Sequence, residues 1–420
     1  MEEKFKNIAK YNFWDEKTPE LGFYRADYTD KIFSYTDNRL IKVLIGQRRT
    51  GKSYILRQLA NKLIANGIDR KNILYVNKEY IDFDFIVNHT DLDNFVKFYK
   101  KQLNISGKVY LFIDEIQNIM GWEYFVNSYS QDFVDEYEIF ISGSNSKMLS
   151  GELATLLSGR YVEFEIFPFG FSEYLGILQK DSNKQNFIEY MESGGLPELF
   201  NLQNDEIKRN YISAIKDTVF LRDIIQRHNV KEPKLLEDIF VFLVNNASNL
   251  VSITTIVNYF KSLGRKTTYD TVSAYIGYME NSFLIHKSER YDIRGKDTIS
   301  GNSKYYINDL AYKNYLYRGF GYGIGYKLKN LVYLILKRAG FKVYTGVFRD
   351  KEVDFAALKD DKILYVQSTY LMIDEQTIER EYSPLESITD NYEKIVVSLD
   401  DVRFPQRNGI KHEQIWNFKL

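Results

Sequence analysis

The sequence predicts an α/β protein whose first part is built on a parallel β-sheet. Short runs of β-branched and apolar residues alternate with helix-like stretches from Ile41 to Gly143, and this alternation is typical of parallel sheets with right-handed crossovers. After about Pro168 the strand-like runs give way to helix-like spacing, and a second set of strand-like runs appears after Asn302. A chain of 420 residues has room for two or three domains with cores of their own.

The elements of the first part follow from their periodicity. Its strand-like runs are IKVLIG, NILYVN, KVYLFID and YEIFISG. The helix after the first run has its apolar stripe at Ile55, Leu59 and Leu63, and it ends at Gly67. The helix-like stretches of the second part are FGFSEYLGIL, FIEYMESGG and EIKRNYISAIKDTVFLRDIIQR.

The later elements divide the rest of the chain. From about Lys234 to Lys296 we expect three short helices and a β-hairpin. A helix at KLKNLVYLILKRAG and strands at KVYTGVF, EVDFAAL and ILYVQST follow. The predicted domains are an α/β domain (1–167), a helical lid (168–233), a winged-helix domain (234–300) and a second α/β domain (301–420).

The composition excludes several kinds of site. The sequence has no cysteine, which excludes disulfides and thiolate metal sites. Its four histidines lie far apart, so any metal is expected to be magnesium that binds together with a nucleotide. A net charge of −1 is unlike that of proteins coated with nucleic acid, so any contact with DNA must be local.

The apolar segments are too short for a membrane protein. The longest, Ile239–Val244 and Leu331–Leu336, fall far short of the roughly 20 residues that span a bilayer. The N-terminal MEEKFKN is polar and acidic, whereas a signal peptide is basic and then apolar. We therefore expect a cytoplasmic protein without membrane contact.

The first strand-to-helix turn carries a phosphate-binding motif. Gly46–Ser53 reads GQRRTGKS and matches G-x-x-x-x-G-K-[ST]. Glycines let the backbone wrap a phosphate closely, and the loop amides and the helix N-terminus attract the anion. The pattern occurs by chance in only about one or two of a hundred chains of this size.

This motif assigns a role in ATP binding to a continuous segment. Lys52 is expected to reach the β- and γ-phosphates of ATP, and the Ser53 hydroxyl to ligate Mg²⁺. The residues predicted to bind the nucleotide are Gly46, Gln47, Arg48, Arg49, Thr50, Gly51, Lys52, Ser53 and Tyr54.

A second strand supplies two carboxylates. Val109–Glu115 reads VYLFIDE and ends in Asp114 and Glu115. An apolar run that ends in two acids is weak by itself, because many surface strands end in this way. Together with the phosphate motif, it predicts that Asp114 holds the magnesium shell and that Glu115 activates the attacking water. The second acid favours hydrolysis over binding alone.

Further polar residues follow the next strands. In IFISGSNSKML, Ser144 or Asn145 is expected near the γ-phosphate, although an ordinary polar turn gives the same pattern. Arg160 directly precedes another strand-like run. It is either an arginine finger that reaches a neighbouring subunit's nucleotide or a surface residue that forms an ion pair. The first alternative implies a homo-oligomer.

These motifs together resemble a widespread family of prokaryotic AAA+-type ATPases with a C-terminal domain of unknown function. The resemblance rests on GQRRTGKS, FIDEIQNI, ISGSNSKMLSGELATLLSGRYVEFEIFPFGFSEYL and the C-terminal LKNLVYLILKRAGFKVY and EVDF, and it spans nearly the whole chain. It implies the P-loop NTPase fold of AAA+ proteins. It also implies that Asn145 is the first sensor and that Arg160 is the arginine finger.

The same resemblance implies a restriction-endonuclease-like fold for the C-terminal domain. An active nuclease of this type uses a helix glutamate, a strand aspartate and a Glu-x-Lys motif, which gather one or two magnesium ions. Here Lys329 stands at the helix position, and Asp354 remains beside Glu352. Gln367 and Thr369 replace the Glu-x-Lys pair. We therefore expect a degenerate, nuclease-like fold without nuclease activity.

The segment from Asn249 to Lys296 is similar to a winged helix-turn-helix. Residues 261–296 hold seven basic and four acidic side chains, a net charge of +3 that suits phosphate contact. The residues predicted to contact DNA are Arg265, Lys266, Thr268, Tyr269, Lys287, Arg290, Arg294 and Lys296. Winged helices also serve as protein–protein modules, and this alternative stays open.

The sequence as a whole predicts an AAA+-type ATPase that couples ATP binding and hydrolysis to DNA binding or remodelling, as an oligomer. The residues expected to take part in catalysis are Lys52, Glu115, Asn145 and Arg160. An alternative is a nucleotide-gated switch or scaffold for protein–protein assembly without DNA. A third, a nuclease with relocated metal ligands, conflicts with Lys329 and Gln367.

Overall fold

The computed structural model describes residues 2–15, 17–146, 157, 159–318 and 323–420. The chain divides into two compact units, Met1–Ile166 and Phe167–Leu420. Part of the ISGSNSKMLSGELATLLSGR segment, residues 147–156 and 158, lies outside the described residues. None of the described helices combines the length and the apolarity that crossing a lipid bilayer requires.

The first unit is built on a five-stranded, fully parallel sheet. Its strands are β1 Ile41–Ile45, β2 Ile73–Asn77, β3 Val109–Asp114, β4 Tyr137–Gly143 and β5 Tyr161–Glu165. They lie in the order β2-β3-β4-β1-β5. β1, β2 and β3 are buried along their whole length, which explains why they read as continuous apolar runs.

Helices cover this sheet. The described helices of the first unit are α1 Glu2–Ile8, α2 Ala26–Phe33, α3 Lys52–Ala65, α4 His89–Leu103 and α5 Trp122–Ser130. α3 buries Ile55, Leu59 and Leu63 in a core that it shares with β1 and β3. The predicted alternation of strand and helix is confirmed, and the first unit has the P-loop NTPase fold class.

The second unit begins with helices. These are α6 Phe171–Leu178, α7 Lys184–Ser193, α8 Asp205–Thr218 with a π-helical continuation Val219–Gln226, α9 Pro233–Asn245, α10 Ile253–Ser262 and α11 Tyr269–Asn281. A large apolar core that includes Phe187, Ile212 and Ile239 joins them. α12 Ile324–Arg338 and α13 Glu375–Glu386 follow later in the chain.

A second, mixed sheet of eight strands completes this unit. The strands are β6 Leu250–Val251, β7 Ile285–Asp292, β8 Asp297–Ile307, β9 Lys342–Phe348, β10 Lys351–Lys359, β11 Lys362–Ser368, β12 Glu393–Ser398 and β13 Lys411–Gln414. They lie in the order β13-β12-β11-β10-β9-β7-β8-β6.

The expected hairpin after α11 is part of this sheet. β7 pairs with β8 on one side and in parallel with β9 on the other, where Tyr291 lies opposite Gly346. β8 continues to Ile307, past residue 300, where we placed a boundary. The sequence pattern shows the hairpin but not its pairing with β9, because that partner lies about fifty residues further along the chain.

Candidate nucleotide site

The loop between β1 and α3 requires glycine at two positions. Gly46 has φ +148°, and a Cβ added there would lie 2.3 Å from the carbonyl oxygen of Ile166. Gly51 has φ +95° and directly precedes α3. Both conformations are strained for residues with a side chain. The two glycines of the motif therefore stand where the backbone of the loop demands them.

The N-terminus of α3 and Lys52 face the inside of this loop. No side chain caps the helix at Gly51, so the first amides of α3 are not used by a capping residue. Lys52 is buried, and its Nζ donates hydrogen bonds to the carbonyl oxygens of Gly46 (2.8 Å) and Gln47 (2.9 Å). Uncapped helix amides and a buried ammonium together suit the binding of a phosphate.

Asp114 ends β3 as a fully buried carboxylate held by neutral donors. Its Oδ2 accepts hydrogen bonds from the Tyr75 hydroxyl (2.9 Å) and from Asn77 Nδ2 (3.0 Å), and its Oδ1 accepts one from Ser142 Oγ. An ionised carboxylate offers about four lone-pair positions, so three donors leave room for one more partner. Asp114 thus fits a role in holding hydrated magnesium.

Glu115 lies beside Asp114 in an unusual backbone conformation. Its φ of 55° is left-handed, which turns the chain directly after β3. Its backbone amide donates to Ser142 Oγ (3.2 Å), and its Oε2 accepts from Gln117 Nε2. Burial raises the pKa of the Glu115 carboxyl, whereas the positive charge of Lys52 lowers it. A carboxylate with a raised pKa near a cation is suited to general-base catalysis.

The strand order brings these groups to one edge of the sheet. β4 lies between β1 and β3, with Ile45 opposite Gly143 and Ile113 opposite Ile141. The carboxyl ends of parallel strands meet at the same edge, so the phosphate loop, the two carboxylates and the end of β4 are neighbours there. Asn145, two residues beyond β4, is buried at this edge.

These residues fit magnesium and a nucleoside triphosphate. The glycine-bounded loop, the uncapped amides of α3 and Lys52 suit the phosphates, and the oxygens of Ser53 and Asp114 are ligands that Mg²⁺ prefers. Three or more histidine or acidic side chains grouped as a metal site of their own do not occur in the described parts of the chain.

A buried arginine that the sequence analysis missed holds the loop from behind. Arg25 Nη1 donates to the carbonyl oxygen of Thr50 (2.8 Å), and Arg25 N donates to Gln58 Oε1 (3.2 Å). Gln58 Nε2 also donates to the carbonyl oxygens of Leu21 and Phe23. No sequence motif covers Arg25, because its contact with the loop depends on how the N-terminal segment folds over α3.

Three other missed residues are Tyr75, Asn77 and Ser142. Asn77 ends β2 directly opposite Asp114, and Ser142 lies near the end of β4. The sequence could have indicated Asn77 and Ser142, because each is a polar residue near the end of a strand that neighbours the carboxylate strand β3. Tyr75 carried no such signal, because an aromatic residue inside an apolar run normally indicates a core position.

Arg160 lies at the other end of the strands of this sheet, where β1 and β5 begin. Its carbonyl oxygen accepts from the Ile41 amide (2.8 Å) at the start of β1, and Tyr161 lies opposite Ile41. The length of β1, about 13 Å for five residues, separates this position from the phosphate loop. Arg160 Nη1 donates to Asn127 Oδ1 (3.2 Å). The structure therefore does not bring Arg160 to the nucleotide site of its own chain.

The residues predicted to contact DNA divide into two groups. In the turn between α10 and α11, Lys266 is exposed, Tyr269 is exposed, and Thr268 Oγ1 caps α11 by accepting from the Thr271 amide (3.2 Å). Arg265 in the same turn forms an ion pair with Asp238. Arg265, Lys266 and Thr268 line a cavity of about 500 Å³.

The second group lies on the hairpin. Lys287 forms an ion pair with Glu289 (2.7 Å), and Arg290 is half-buried on β7, between β8 and β9. Arg294 and Lys296 are exposed in the turn that connects β7 to β8. Because β7 is an inner strand of the eight-stranded sheet, the expected wing is not a free hairpin, and Arg290 cannot present its whole side chain to solvent.

The expected degenerate nuclease position contains a buried ion pair. Asp354 on β10 lies 2.5 Å from Lys329 Nζ of α12 and 3.8 Å from Lys304 Nζ of β8. Burial alone would raise the pKa of Asp354, but the two lysines hold it below its ordinary value. Gln367 Oε1 accepts from the Asp354 amide (3.0 Å). The ammonium group of Lys329 thus lies next to Asp354. An active nuclease of this type would have a glutamate ligand at the position of Lys329.

Two family models match the chain. The model described as "AAA domain" matches residues 38–175, which include the phosphate loop and both carboxylates. The model described as "Domain of unknown function (DUF8612)" matches residues 184–321. The AAA match confirms the expected AAA+-type assignment of the first domain. The restriction-endonuclease-like fold of the C-terminal domain stays a prediction.

Two curated proteins are similar over most of their length. An "Uncharacterized protein" of Haemophilus influenzae is 37% identical over 378 residues, which cover 89% of this chain and 92% of that protein. "Uncharacterized protein MJ1544" of Methanocaldococcus jannaschii is 32% identical over 387 residues, which cover 87% of this chain and 83% of that protein.

Solved structures share the arrangement more distantly. The Walker-type ATPase PABY2304 of Pyrococcus abyssi has a TM-score of 0.45 at 17% identity, over 69% of this chain and 94% of that chain. The ORC1 protein of Aeropyrum pernix, solved in complex with DNA, has a TM-score of 0.33 at 14% identity, over 72% of this chain and 94% of that chain.

Proposed function

Since this chain belongs to the same family as the Haemophilus influenzae and Methanocaldococcus jannaschii proteins and carries an AAA domain, we propose that it binds and hydrolyses ATP with magnesium to act on DNA as an oligomer. The observation that carries the proposal is the meeting of the phosphate loop, Asp114 and Glu115 at one edge of a parallel sheet. Binding alone would need only the loop, whereas the buried glutamate adds a base for the attacking water.

The residues at this edge of the sheet have different roles in the proposed reaction. The loop amides and Lys52 bind the phosphates, and Ser53 and Asp114 hold Mg²⁺, which would neutralise charge on the phosphates when bound. Glu115 orients the attacking water and accepts its proton. Ser142 keeps the two carboxylates in register, because its Oγ donates to Asp114 and accepts from the Glu115 amide. Asn145, at the end of the central strand β4, contacts the γ-phosphate.

Arg160 supports the proposal of an oligomer. It lies where β5 begins, away from the nucleotide site of its own chain, so as an arginine finger it would serve the site of another subunit. Asn127 orients the guanidinium, since its Oδ1 accepts from both Arg160 Nη1 (3.2 Å) and Gln131 Nε2 (2.7 Å). An arginine supplied in trans stabilises the charge that develops on the transferred phosphoryl group.

The turn between α10 and α11 supports the proposal of DNA binding. Lys261 and Lys266 line the same cavity, and neither side chain forms an ion pair with another residue in the described ranges of the chain. The N-terminus of α11 opens at this turn. Exposed lysines next to a helix N-terminus provide the charge that contacts with backbone phosphates require.

ATP turnover by variants of the full-length chain tests the catalytic part. We expect Lys52→Ala to abolish ATP binding, because the buried ammonium that contacts the phosphates is lost. Glu115→Gln should keep ATP binding but lower kcat at least about a hundredfold, as expected for the loss of a general base. Normal turnover by Glu115→Gln, measured by phosphate release alongside calorimetric ATP binding, would refute this assignment.

The ATPase rate in the presence of DNA tests the second part. Duplex, single-stranded or branched DNA should raise the rate of the wild-type protein if the chain acts on DNA. A rate that none of these raises would favour the alternative of a nucleotide-gated scaffold for protein assembly.

A further inference from the structure

A second arginine lies beside Arg160 at the amino edge of the first sheet, which is the edge where its parallel strands begin. Arg39 precedes β1 by two residues, and Arg160 directly precedes β5. β1 and β5 are parallel neighbours, with Ile41 opposite Tyr161, so both arginines stand at the same end of adjacent strands. The position of Arg39 depends on this pairing and not on any motif.

These two arginines line one cavity. It has a volume of about 370 Å³, and its walls are Arg39, Leu40, Ser130, Gln131, Gly159 and Arg160. Two walls are cationic, two carry neutral polar side chains, and none is acidic. Arg39 is exposed, and no hydrogen bond or ion pair to its side chain occurs within the described parts of the chain. A cavity with this lining is suited to an anion.

Three of the acidic groups near this cavity are paired with lysines. Asp37 pairs with Lys108 (3.3 Å), and Asp135 pairs with Lys100, whereas Glu138 is buried against Lys42 and Lys108. Asp132 and Glu136 line an adjoining cavity that also includes Arg39 and Ser130. The lining of the cavity between Arg39 and Arg160 contains both arginines and no acidic residue.

We propose that this cavity binds the terminal phosphates of the nucleotide held by a second copy of the chain, with Arg39 as a phosphate-binding residue beside Arg160. The inference rests on the proposed function and extends it to a residue outside every motif. A head-to-tail interface joins two different surfaces of identical subunits. The edge at which the strands of the first sheet begin and the edge at which they end, next to the phosphate loop, are two different surfaces of this kind. Two guanidinium groups can bind phosphate oxygens in a bidentate manner, which lysines cannot.

Turnover by Arg39 variants of the full-length chain is the first test. Arg39→Ala should lower kcat at least about tenfold, with little change in ATP affinity. This is less than the roughly 10³–10⁵-fold contribution of an arginine finger, because Arg160 remains. Arg39→Lys should recover only part of kcat, because it restores the charge without the planar fork. Lys101→Ala, which removes an exposed cation on α4, is the matched control and should keep wild-type kcat.

Mixed assemblies separate a role in trans from a structural role. A Lys52→Ala subunit lacks a working nucleotide site but keeps Arg39, whereas an Arg39→Ala subunit keeps its nucleotide site. In a mixture, some interfaces join the nucleotide site of an Arg39→Ala subunit to the Arg39 of a Lys52→Ala subunit. In co-expressed, doubly tagged 1:1 assemblies about a quarter of the interfaces should be complete, so activity should rise towards about a quarter of the wild-type rate. Neither a misfolded Arg39→Ala subunit nor an Arg39 that binds only free phosphate would be rescued in this way.

The outcomes distinguish this inference from the proposed function. A wild-type protein that neither assembles nor hydrolyses ATP would overturn both. A wild-type protein that does both, with an Arg39→Ala variant as active as the Lys101→Ala control or an inactive mixture, would overturn the role of Arg39 alone.

Discussion

At the scale of single residues, the candidate site depends on how burial changes the chemistry of its carboxylates. Asp114 is fully buried and accepts three hydrogen bonds from neutral donors, which fix the orientation of its carboxyl group. Glu115 next to it has a pKa raised by burial. These different surroundings suit the different tasks that we propose for the two adjacent carboxylates, Asp114 for the metal shell and Glu115 for the proton of the attacking water.

The raised pKa of Glu115 gives a pH dependence with a definite sign. A general base acts only when it is deprotonated, so kcat should fall as the pH falls through the pKa of Glu115, which lies above the ordinary value of a glutamate. The measurement is kcat against pH at saturating ATP and magnesium. The residual kcat of Glu115→Gln should not show this fall towards acidic pH. A wild-type kcat that does not change over the acidic range would contradict the role of Glu115.

At the scale of elements, pairings between distant strands place the polar residues of the second unit. Lys304 lies on β8, Asp354 on β10 and Lys329 on α12, and the mixed sheet brings them together. Lys304 also pairs with Glu352 (2.6 Å). Asp354 is therefore the anion that compensates two ammonium groups, one of which is almost completely buried.

Removal of this anion should destabilise the second unit. Asp354→Ala removes Asp354 from Lys329 and leaves Lys304 with Glu352. The loss of unfolding free energy should therefore be measurable but lie below the about 3–5 kcal/mol that follows when a buried charge keeps no partner. Denaturant unfolding followed by circular dichroism measures the effect. Asp361→Ala in the exposed turn between β10 and β11 is the control and should change stability little. Equal stability of the two variants would show that the Asp354 cluster does not contribute to folding.

At the scale of the whole molecule, the balance of charge limits how DNA can be bound. The chain carries 56 basic and 57 acidic residues, so general electrostatic attraction to DNA is weak. Among the cations of the expected DNA surface, Arg265 and Lys287 are already in ion pairs. Binding should therefore depend on few side chains, of which Lys261 and Lys266 share one cavity.

The salt dependence of DNA affinity tests this arrangement. Each phosphate contact contributes about 0.9 to the slope of log affinity against log salt, so the double variant Lys261→Ala/Lys266→Ala should lose about 1.8 of it. Fluorescence polarisation at several salt concentrations gives the slope. The double variant Lys31→Ala/Lys101→Ala, which changes exposed lysines of the first unit, should keep the wild-type slope. Identical slopes for both double variants would exclude the α10–α11 turn as a DNA contact.

The sequence by itself determined the features that depend on neighbours along the chain. The phosphate loop, the acids at the end of β3 and the strand-like runs of the first sheet are written in short segments, because turn chemistry and hydrophobic periodicity act locally. The AAA match and the five-stranded sheet confirm the class of fold that these segments predict. The hairpin after α11 was also visible in this way.

Only the tertiary structure decided which distant residues meet. Arg25 reaches Thr50, Ser142 joins Asp114 to Glu115, β7 pairs with β9, and Arg39 lies beside Arg160. Each of these contacts depends on the order and register of strands or on the path of a loop over a helix. Such contacts are set by the free energy of the whole packed core, and no local pattern in the sequence specifies them.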